Sequence, residues 1–268
     1  MIKALFFDID GTLVSFRTHT IPHSTIQALE AAKADGVRLF IATGRPTVII
    51  NNLHPLQERG LIDGYVTMNG SYCFVGSEVI YKHAIPAAEV QTIMDYCDRR
   101  NIACIVVGEH DIGVCHPGHV VQEIFYEHLK VDELPIETPA QALQRPEIFQ
   151  MTPFINALEE EELLPSIPHC EIGRWHPAFV DITAQGTTKQ QGINAILKHF
   201  GWQREEVMAF GDGGNDIPML RYAGIGVAMG NALDAVKESA DYVTASVDED
   251  GIACALEHFK LICPSPYR

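Results

Sequence analysis

Two aspartates, separated by one residue, follow a mostly apolar run at the start of the chain. Asp8 directly follows the segment Ile2 to Phe7, and Asp10-Gly11-Thr12 comes after the intervening Ile9. In an extended backbone, residues i and i+2 project to the same side, so both carboxylates can act on one group. A carboxylate can serve as a nucleophile, as a general acid or base, or as an oxygen ligand of a hard divalent ion.

Three further polar clusters follow apolar runs or open a predicted helix. They are Thr43-Gly44-Arg45 after Val37 to Ala42, Lys189 at a helix start, and Asp212 to Asp216 after Val207 to Phe210. Such runs are typical of strands buried on both faces of a parallel sheet. Because ligands bind at the carboxyl ends of these strands, we expect the four clusters to converge.

Three of these carboxylates, Asp8, Asp10 and Asp212, could share a divalent ion. Mg²⁺ takes oxygen ligands and is usually bound by one or two carboxylates, with water and a substrate phosphate completing its octahedron. This combination of groups is typical of phosphoryl transfer, in which positioning and charge stabilisation supply most of the catalysis.

Two nucleotide-binding motifs and one zinc motif are disfavoured by the sequence. A dinucleotide-binding G-x-G-x-x-G pattern starting at Gly211 requires glycine at position 216, where the chain has Asp216. The segment Gly186 to Lys189 lacks the G-K-[ST] ending of a P-loop. The twelve histidines form no H-E-x-x-H pattern, which disfavours zinc-dependent hydrolysis.

The charge balance restricts the class of partner. Nineteen Lys and Arg against 35 Asp and Glu give a formal net charge of −16. Nucleic acids and anionic membranes are bound mainly through Lys and Arg, so we expect neither as a partner. No apolar stretch has the roughly 20 residues of a membrane span. The seven cysteines form no C-x-x-C pair, which favours a reducing compartment, and we expect a cytoplasmic protein.

The predicted elements change in character along the chain. Strand and helix alternate near both ends, which predicts right-handed parallel crossovers, whereas the middle has the pattern of an α+β unit. We therefore predict an α/β fold with a doubly wound parallel sheet built from residues 1–83 and 184–268. An α+β domain over residues 84–183 would be inserted between them.

The ordered motifs strongly resemble those of the haloacid dehalogenase (HAD) superfamily of aspartyl phosphatases. They are D-x-D-G-T at 8–12, T-G-R at 43–45, Lys189 in G-T-T-K, and G-D-G-G-N-D at 211–216. The resemblance is to the Cof-type, sugar-phosphatase-like branch and covers essentially the whole chain. It implies a Rossmann-like core with an inserted cap domain that sets substrate specificity.

The resemblance also implies a role for each carboxylate. Asp8 corresponds to the nucleophile that forms an aspartyl phosphate. Asp10 corresponds to the general acid that protonates the leaving alcohol and then acts as the base for water. Mg²⁺ would be held by the Asp8 side chain, the Asp10 backbone carbonyl and Asp212. Asp216 would support the water ligands of the metal or Lys189.

The remaining motif positions resemble groups that bind the phosphoryl group or the substrate. The positions implied are the Ile9 and Gly44 amides, the Thr43 hydroxyl, Arg45 and Asn215. Lys189 resembles the lysine that offsets the charge of phosphate and carboxylates. Within a chain of net charge −16, these groups and the metal would form a local site for an anion.

The leaving group should be recognised by the inserted domain, together with Arg45 and Asn69 near strand ends. The candidates in the inserted domain are polar residues expected in loops: Glu109, His110, His116, Arg174, Trp175 and His176. Arg174 to His176 is the strongest of these candidates, because a guanidinium and an indole suit the hydroxyl edge and apolar face of a sugar.

The sequence thus predicts a Mg²⁺-dependent phosphatase acting on a small-molecule phosphate monoester. Hexose or pentose phosphates are favoured over nucleotides and cofactor phosphates such as flavin mononucleotide or pyridoxal phosphate. Two alternatives remain, a phosphosugar mutase and a non-catalytic phosphosugar-sensing protein. No motif points to a protein partner or to a particular oligomeric state.

Overall fold

The structure is a computed structural model that describes residues 1–128 and 131–263. The chain divides into two compact units. We call the first the core unit; it contains Met1–Gly44, Asn52–Tyr81 and the chain from Thr188 onward. We call the second the inserted unit; it contains Arg45–Asn51 and Lys82–Thr187.

The first sheet is formed by strands from both ends of the chain. Its strands are β1 (Ala4–Phe7), β2 (Arg38–Ala42), β3 (Gly64–Thr67), β4 (Tyr72–Val75) and β5 (Glu78–Lys82), together with β11 (Val207–Gly211), β12 (Ile225–Ala228) and β13 (Tyr242–Val243). The second sheet consists of β6 (Cys104–Val107), β7 (Ile112–Cys115), β8 (Gln150–Pro153), β9 (Cys170–His176) and β10 (Phe179–Ala184).

The helices are short apart from three. They are α1 (His23–Ala34), α2 (His54–Gln57), α3 (Ala87–Arg100), α4 (His119–Val121), α5 (Pro139–Ala142), α6 (Ala157–Leu163), α7 (Lys189–Phe200), α8 (Ile217–Tyr222), α9 (Asp234–Lys237) and α10 (Gly251–His258). A π-helical segment, Gln122–His128, follows α4. Among the described residues, no helix has both the length and the apolar character needed to cross a membrane.

The first sheet has the strand order β13-β12-β11-β1-β2-β3-β4-β5. The pairs from β13 to β3 are parallel, and β4 is antiparallel to β3. Every residue of β1 and β11 is buried, which explains why these central strands are continuous apolar runs and do not alternate with polar residues. The predicted α/β fold with a doubly wound sheet is confirmed, with an antiparallel addition at one side.

Helix α7 is defined by capping at both ends. The Thr188 hydroxyl accepts a hydrogen bond from the Gln191 amide, and Gly201 ends the helix in the left-handed conformation, with φ of 66°. The apolar face of α7, including Ile193 and Ile196, lies in the buried cluster of the core unit. This packing fixes Lys189 at the first turn of the helix.

The inserted unit has its own buried core. Its sheet has the order β7-β6-β8-β10-β9, and all the pairs are antiparallel. Helix α3 contributes Ile93, Met94 and Cys97 to a cluster that includes Val106 and Met151 from the sheet. Burial of these side chains stabilises the unit.

One prediction about this unit is wrong. Arg174 to His176 was expected in a loop, but the three residues lie at the end of β9, which pairs with β10. Pairing with β10 across a short connection places these residues in a strand, which their composition does not indicate.

Candidate active site

The carboxyl ends of β1 and β11 bring the first and last motifs together. The two strands pair in parallel from Ala4 with Val207 to Phe7 with Phe210, and the Asp8 amide donates to the Phe210 carbonyl at 3.0 Å. Carboxylate oxygens of three residues lie within 4.8 Å of one another. They belong to Asp8, Asp212 and Asp216. The first and the last of the four clusters therefore meet at this edge of the sheet.

Lys189 joins two of these carboxylates. Its Nζ lies 2.6 Å from Asp8 Oδ1 and 2.6 Å from Asp216 Oδ1, and its side chain is completely buried. Burial lowers the pKa of Lys189, but the charges of Asp216 and Asp8 outweigh this effect and raise it above its ordinary value. The ammonium is therefore a permanent cation between two acidic groups.

Asp216 is engaged on both oxygens. Oδ1 accepts from Lys189, and Oδ2 accepts from the backbone amides of Asp212 and Gly213, each at 2.9 Å. A Cβ at Gly211 would lie 2.5 Å from the Asp216 side chain, so this position must be glycine. Asp216 thus fixes the turn that carries Asp212 and holds Lys189 in place, one of the two supporting roles that the resemblance implied.

Asp212 accepts hydrogen bonds from groups on other loops. Thr12 Oγ1 donates to its Oδ1 at 2.9 Å, and Asn231 Nδ2 lies 3.4 Å from its Oδ2. Burial is the main cause that raises the pKa of Asp212 to about 7, and the negative charge of Asp216 adds to it. Gly11 is required beside this carboxylate, because a Cβ there would lie 2.1 Å from Asp212 Oδ2.

Asp8 lies in the same field of negative charge. Burial raises its pKa well above the ordinary value, Lys189 opposes the shift, and the charges of Asp216, Asp212 and Asp10 add to it. The charge of Asp10 makes a smaller contribution that raises the pKa of both Asp8 and Asp212. The negative charge of this group of aspartates exceeds the single positive charge of Lys189.

The loop after β1 is held tightly around the buried residue Ile9. The Ile9 carbonyl accepts from the amides of Leu13 and Val14 at 3.0 and 2.8 Å, and the Gly11 amide donates to the Val14 carbonyl at 2.8 Å. These hydrogen bonds close a tight turn after β1 and fix the backbone on both sides of Asp10.

The donor set suits a hard divalent cation. Carboxylate oxygens are the ligands that Mg²⁺ prefers, and a divalent ion would offset the negative charge that, in addition to burial, raises the pKa of Asp8 and Asp212. Because both Asp216 oxygens are engaged by Lys189 and backbone amides, Asp8 and Asp212 are the carboxylates suited to bind it directly. The residues therefore fit Mg²⁺.

The second motif is connected to the fourth through one residue. Thr43 is buried and its amide donates to the Val66 carbonyl at 2.8 Å. The Asn69 side-chain amide lies 3.3 Å from the position a Cβ would take on Gly44, and Asn215 Nδ2 donates to Asn69 Oδ1 at 3.0 Å. The structure thus brings together Thr43, Gly44 and Asn215.

Arg45 is not grouped with these residues. It begins the segment Arg45–Asn51, which belongs to the inserted unit, and its Nη1 lies 3.5 Å from the Ile49 carbonyl. Its predicted contact with substrate stays a prediction.

Several candidate residues of the inserted unit have structural partners. Arg174 donates to Glu160 at 2.7 Å and to the Ile155 carbonyl at 3.0 Å. His116 Nε2 lies 2.9 Å from Asp98 Oδ1. The Trp175 side chain lies outside the part of the structure that is described. Arg174 is thus a connection between β9 and neighbouring segments.

Two residues near the site were not singled out from the sequence. Thr12 is fully buried and bonds Asp212; its place in D-x-D-G-T was the available signal. Asn231 donates to the Gly11 carbonyl at 2.8 Å and accepts from the Val247 amide at 2.9 Å. Its only signal was its position shortly after β12.

Comparison with known families and solved structures gives consistent results. The family described as haloacid dehalogenase-like hydrolase matches residues 5–256. A solved structure of the HAD subclass IIB sugar phosphatase BT4131 is 62% identical, covers 97% of this chain and 100% of its own, and has a TM-score of 0.91. A second structure, described in terms of a trigonal-bipyramidal intermediate conserved in a phosphoryl-transfer superfamily, is 61% identical, covers 98% and 100%, and has a TM-score of 0.92.

A curated relative extends the similarity to a different named substrate. The pyridoxal phosphate phosphatase YbhA of Escherichia coli (strain K12) is 31% identical over an alignment of 270 positions, which covers 94% of this chain and 96% of the relative.

Proposed function

Because the chain belongs to the haloacid dehalogenase-like hydrolases and is a phosphatase of that family, we propose that it hydrolyses small phosphate monoesters through a phosphorylated Asp8. The observation that carries this proposal is the cluster of Asp8, Asp212, Asp216 and Lys189, in which the carboxylates follow two adjacent strands and the ammonium comes from the start of α7. It combines a carboxylate nucleophile with a fixed cation and a second carboxylate suited to a metal.

In the first step, an Asp8 carboxylate oxygen attacks phosphorus. A bond forms between this oxygen and phosphorus while the bond from phosphorus to the leaving oxygen breaks. Asp10, in its protonated form, gives its proton to the departing oxygen, so that the product is an alcohol. The enzyme then carries an aspartyl phosphate at Asp8 and a carboxylate at Asp10.

In the second step, Asp10 acts in reverse. Its carboxylate takes a proton from a water molecule as the water oxygen attacks phosphorus, and the bond to the Asp8 oxygen breaks. Inorganic phosphate leaves, and both aspartates return to their starting protonation states.

The other motif residues stabilise charge on the phosphoryl oxygens. Donors aimed at developing charge in a fixed geometry are usually the largest contribution to catalysis. The proposed donors are the Ile9 and Gly44 amides, the Thr43 hydroxyl, Lys189, Asn215 and, from the inserted unit, Arg45. Lys189 is held by Asp216, so its ammonium requires no rearrangement during the reaction.

Mg²⁺ is the proposed cofactor. The Asp8 side chain, the Asp10 backbone carbonyl and the Asp212 side chain would hold it. When bound, it would neutralise phosphoryl oxygens as a Lewis acid. The cluster itself supports this assignment, because carboxylate oxygens of Asp8, Asp212 and Asp216 lie within 4.8 Å of one another with the single cation of Lys189 between Asp8 and Asp216.

Sugar phosphates are the proposed substrate class, with the inserted unit recognising the leaving group. The sugar phosphatase at 62% identity supports this choice, and the pyridoxal phosphate phosphatase at 31% identity supports cofactor phosphates as the second class to test. We also propose that the protein is cytoplasmic. All seven cysteines lie in the described residues and are free thiols, which is consistent with a reducing compartment.

Phosphate release from a panel of sugar, nucleotide and cofactor phosphates tests the proposal, with Mg²⁺ or a chelator present. We expect selective, Mg²⁺-dependent release that is lost in Asp8→Asn. Conversion of a sugar phosphate to an isomer without phosphate release would instead indicate a mutase. Binding without any turnover would indicate a phosphosugar sensor.

A further inference from the structure

A strained turn connects β3 to β4 beside the site. Met68, Asn69 and Gly70 have φ values of 49°, 54° and 105°. The left-handed region is easily adopted by glycine but is unfavourable for a residue with a Cβ. Within the described residues, Met68 and Asn69 are the one pair of consecutive non-glycine residues in this conformation.

The turn contacts three segments that carry motif residues. The Asn69 amide donates to the Thr43 carbonyl at 3.0 Å, and the Asn69 side chain lies against Gly44. A Cβ at Gly70 would lie 2.2 Å from the Thr188 carbonyl, so the turn packs closely against the residue preceding Lys189. The turn therefore lies against both the second and the third motif.

The contact with the fourth motif is made by the Asn69 side chain. Asn215 is an exposed residue, and its Nδ2 donates to Asn69 Oδ1 at 3.0 Å. This hydrogen bond engages the side-chain oxygen of Asn69 and restricts the rotation of the Asn215 side-chain amide. Without it, an exposed asparagine would sample several rotamers.

We propose that Asn69 is a positioning residue, held by the strained turn, that orients the Asn215 side chain toward the phosphoryl group. This inference rests on the proposed function. Asn69 acts through Asn215 and takes no part in bond making or proton transfer.

The residue type supports this role. Glycine at position 69 would satisfy the backbone without strain, and the chain already has glycine at the next position. A non-glycine residue in a strained backbone conformation persists where the surrounding structure holds it, and such positions cluster at functional sites. Here the surrounding contacts are the hydrogen bonds to Thr43 and Asn215.

Asn69→Gly separates positioning from stability. The substitution removes the side-chain amide but suits the left-handed backbone, so we expect Tm to be unchanged or higher. We expect kcat/KM for the best sugar phosphate to fall by roughly tenfold, the effect of losing one aligned hydrogen bond. A purely structural role would instead leave kcat/KM unchanged or reduce it together with Tm.

Asn101→Gly is a matched control. Asn101 is also left-handed, with φ of 53°. It ends α3 in the inserted unit, where its backbone amide donates to the carbonyls of Cys97 and Asp98. We expect this variant to retain Tm and kcat/KM.

A double-mutant cycle with Asn215→Ala tests the route of the effect. If Asn69 acts through Asn215, the loss in the double variant should be close to the loss from Asn215→Ala alone. The proposal would be overturned if the two single losses in kcat/KM multiply in the double variant, or if Asn69→Gly retains the wild-type kcat/KM.

A binding measurement keeps this inference separate from the proposed function. Calorimetry with inorganic phosphate and Mg²⁺ should show weaker binding by Asn69→Gly than by the wild type and Asn101→Gly. If the wild type releases no phosphate from any substrate, the proposed function fails, while weaker phosphate binding by Asn69→Gly would still support positioning. Equal phosphate affinity in the three proteins would overturn the positioning role.

Discussion

The Lys189 ammonium lies 2.6 Å from Asp216 Oδ1, and both side chains are completely inaccessible to solvent. Taking two charges out of water is costly, and the pair persists because its remaining polar atoms are also satisfied. Lys189 also contacts Asp8, and Asp216 also accepts from two backbone amides. The pair therefore connects helix α7 to the loops that follow β1 and β11, in addition to its proposed role in charge stabilisation.

Lys189→Met should lower both stability and activity. The substitution leaves Asp8 and Asp216 buried without their cation, and removing one partner of a buried pair costs roughly 3–5 kcal/mol. Urea denaturation of the metal-free protein measures this change in the free energy of unfolding. Lys198→Met is the control, because Lys198 is exposed in the last turn of the same helix. Equal stability of the two variants would show that the buried pair has no net structural role.

Mg²⁺ binding should be coupled to a proton near neutral pH. The pKa of Asp212 in the folded, metal-free protein is about 7, above its ordinary value of 3.8, so the folded state holds this proton more tightly than the unfolded chain. The resulting contribution to stability is present at low pH and is lost as the pH rises through 7. Because Mg²⁺ requires the ionised carboxylate, its affinity should increase from about pH 6 to pH 8.

The increase in Tm caused by Mg²⁺, measured across this pH range, tests the coupling. We expect a larger increase at pH 8 than at pH 6 in the wild type and a smaller difference between the two pH values in Asp212→Asn. An increase in Tm that is the same at both pH values in the wild type would rule out coupling through Asp212.

Thr12→Val should weaken Mg²⁺ binding. The substitution preserves shape but removes the hydrogen bond from Thr12 Oγ1 to Asp212 Oδ1, which lowers the pKa of that carboxyl and orients it. Loss of a partner that orients a metal ligand typically reduces affinity by about 10- to 100-fold. Calorimetric titration with Mg²⁺ measures the change. Thr12→Ser retains the hydroxyl and should keep wild-type affinity; an equal loss in both variants would implicate packing at this position, and not the hydrogen bond.

Arg174→Lys should reduce stability without altering substrate selectivity. Arg174 bonds Glu160 and the carbonyls of Ile155 and Pro177, and lysine cannot reproduce this planar arrangement of donors. We expect a loss of about 1–2 kcal/mol in the free energy of unfolding. The ratio of kcat/KM for two sugar phosphates should stay at its wild-type value. A changed ratio at unchanged stability would return Arg174 to the specificity residues.

The main features of the core unit could be predicted from the sequence because they depend on local patterns. Buried parallel strands are apolar along their whole length, so β1 and β11 could be recognised, and polar residues directly after them were expected at one edge. The proximity of Asp8 and Asp212 follows from the pairing of these two strands.

Features that depend on distant contacts could not be predicted in this way. The partner of Asn69 is Asn215, 146 residues later, and their contact depends on a left-handed turn that no motif indicates. Arg174 was expected in a loop together with Trp175 and His176, whereas pairing with β10 places it in β9. In each case, the position of the residue is determined by contacts with another segment and not by its own.

The most direct test of the central claim is to trap the phosphorylated enzyme. The wild type is mixed with its best sugar phosphate and Mg²⁺, quenched within one turnover and treated with borohydride, which reduces an acyl phosphate to an alcohol. Mass spectrometry of the peptide spanning residues 4–12 should then show Asp8 converted to homoserine, with no conversion when the substrate is omitted. Rapid phosphate release with Asp8 unmodified, accompanied by normal turnover in Asp8→Asn, would contradict the account.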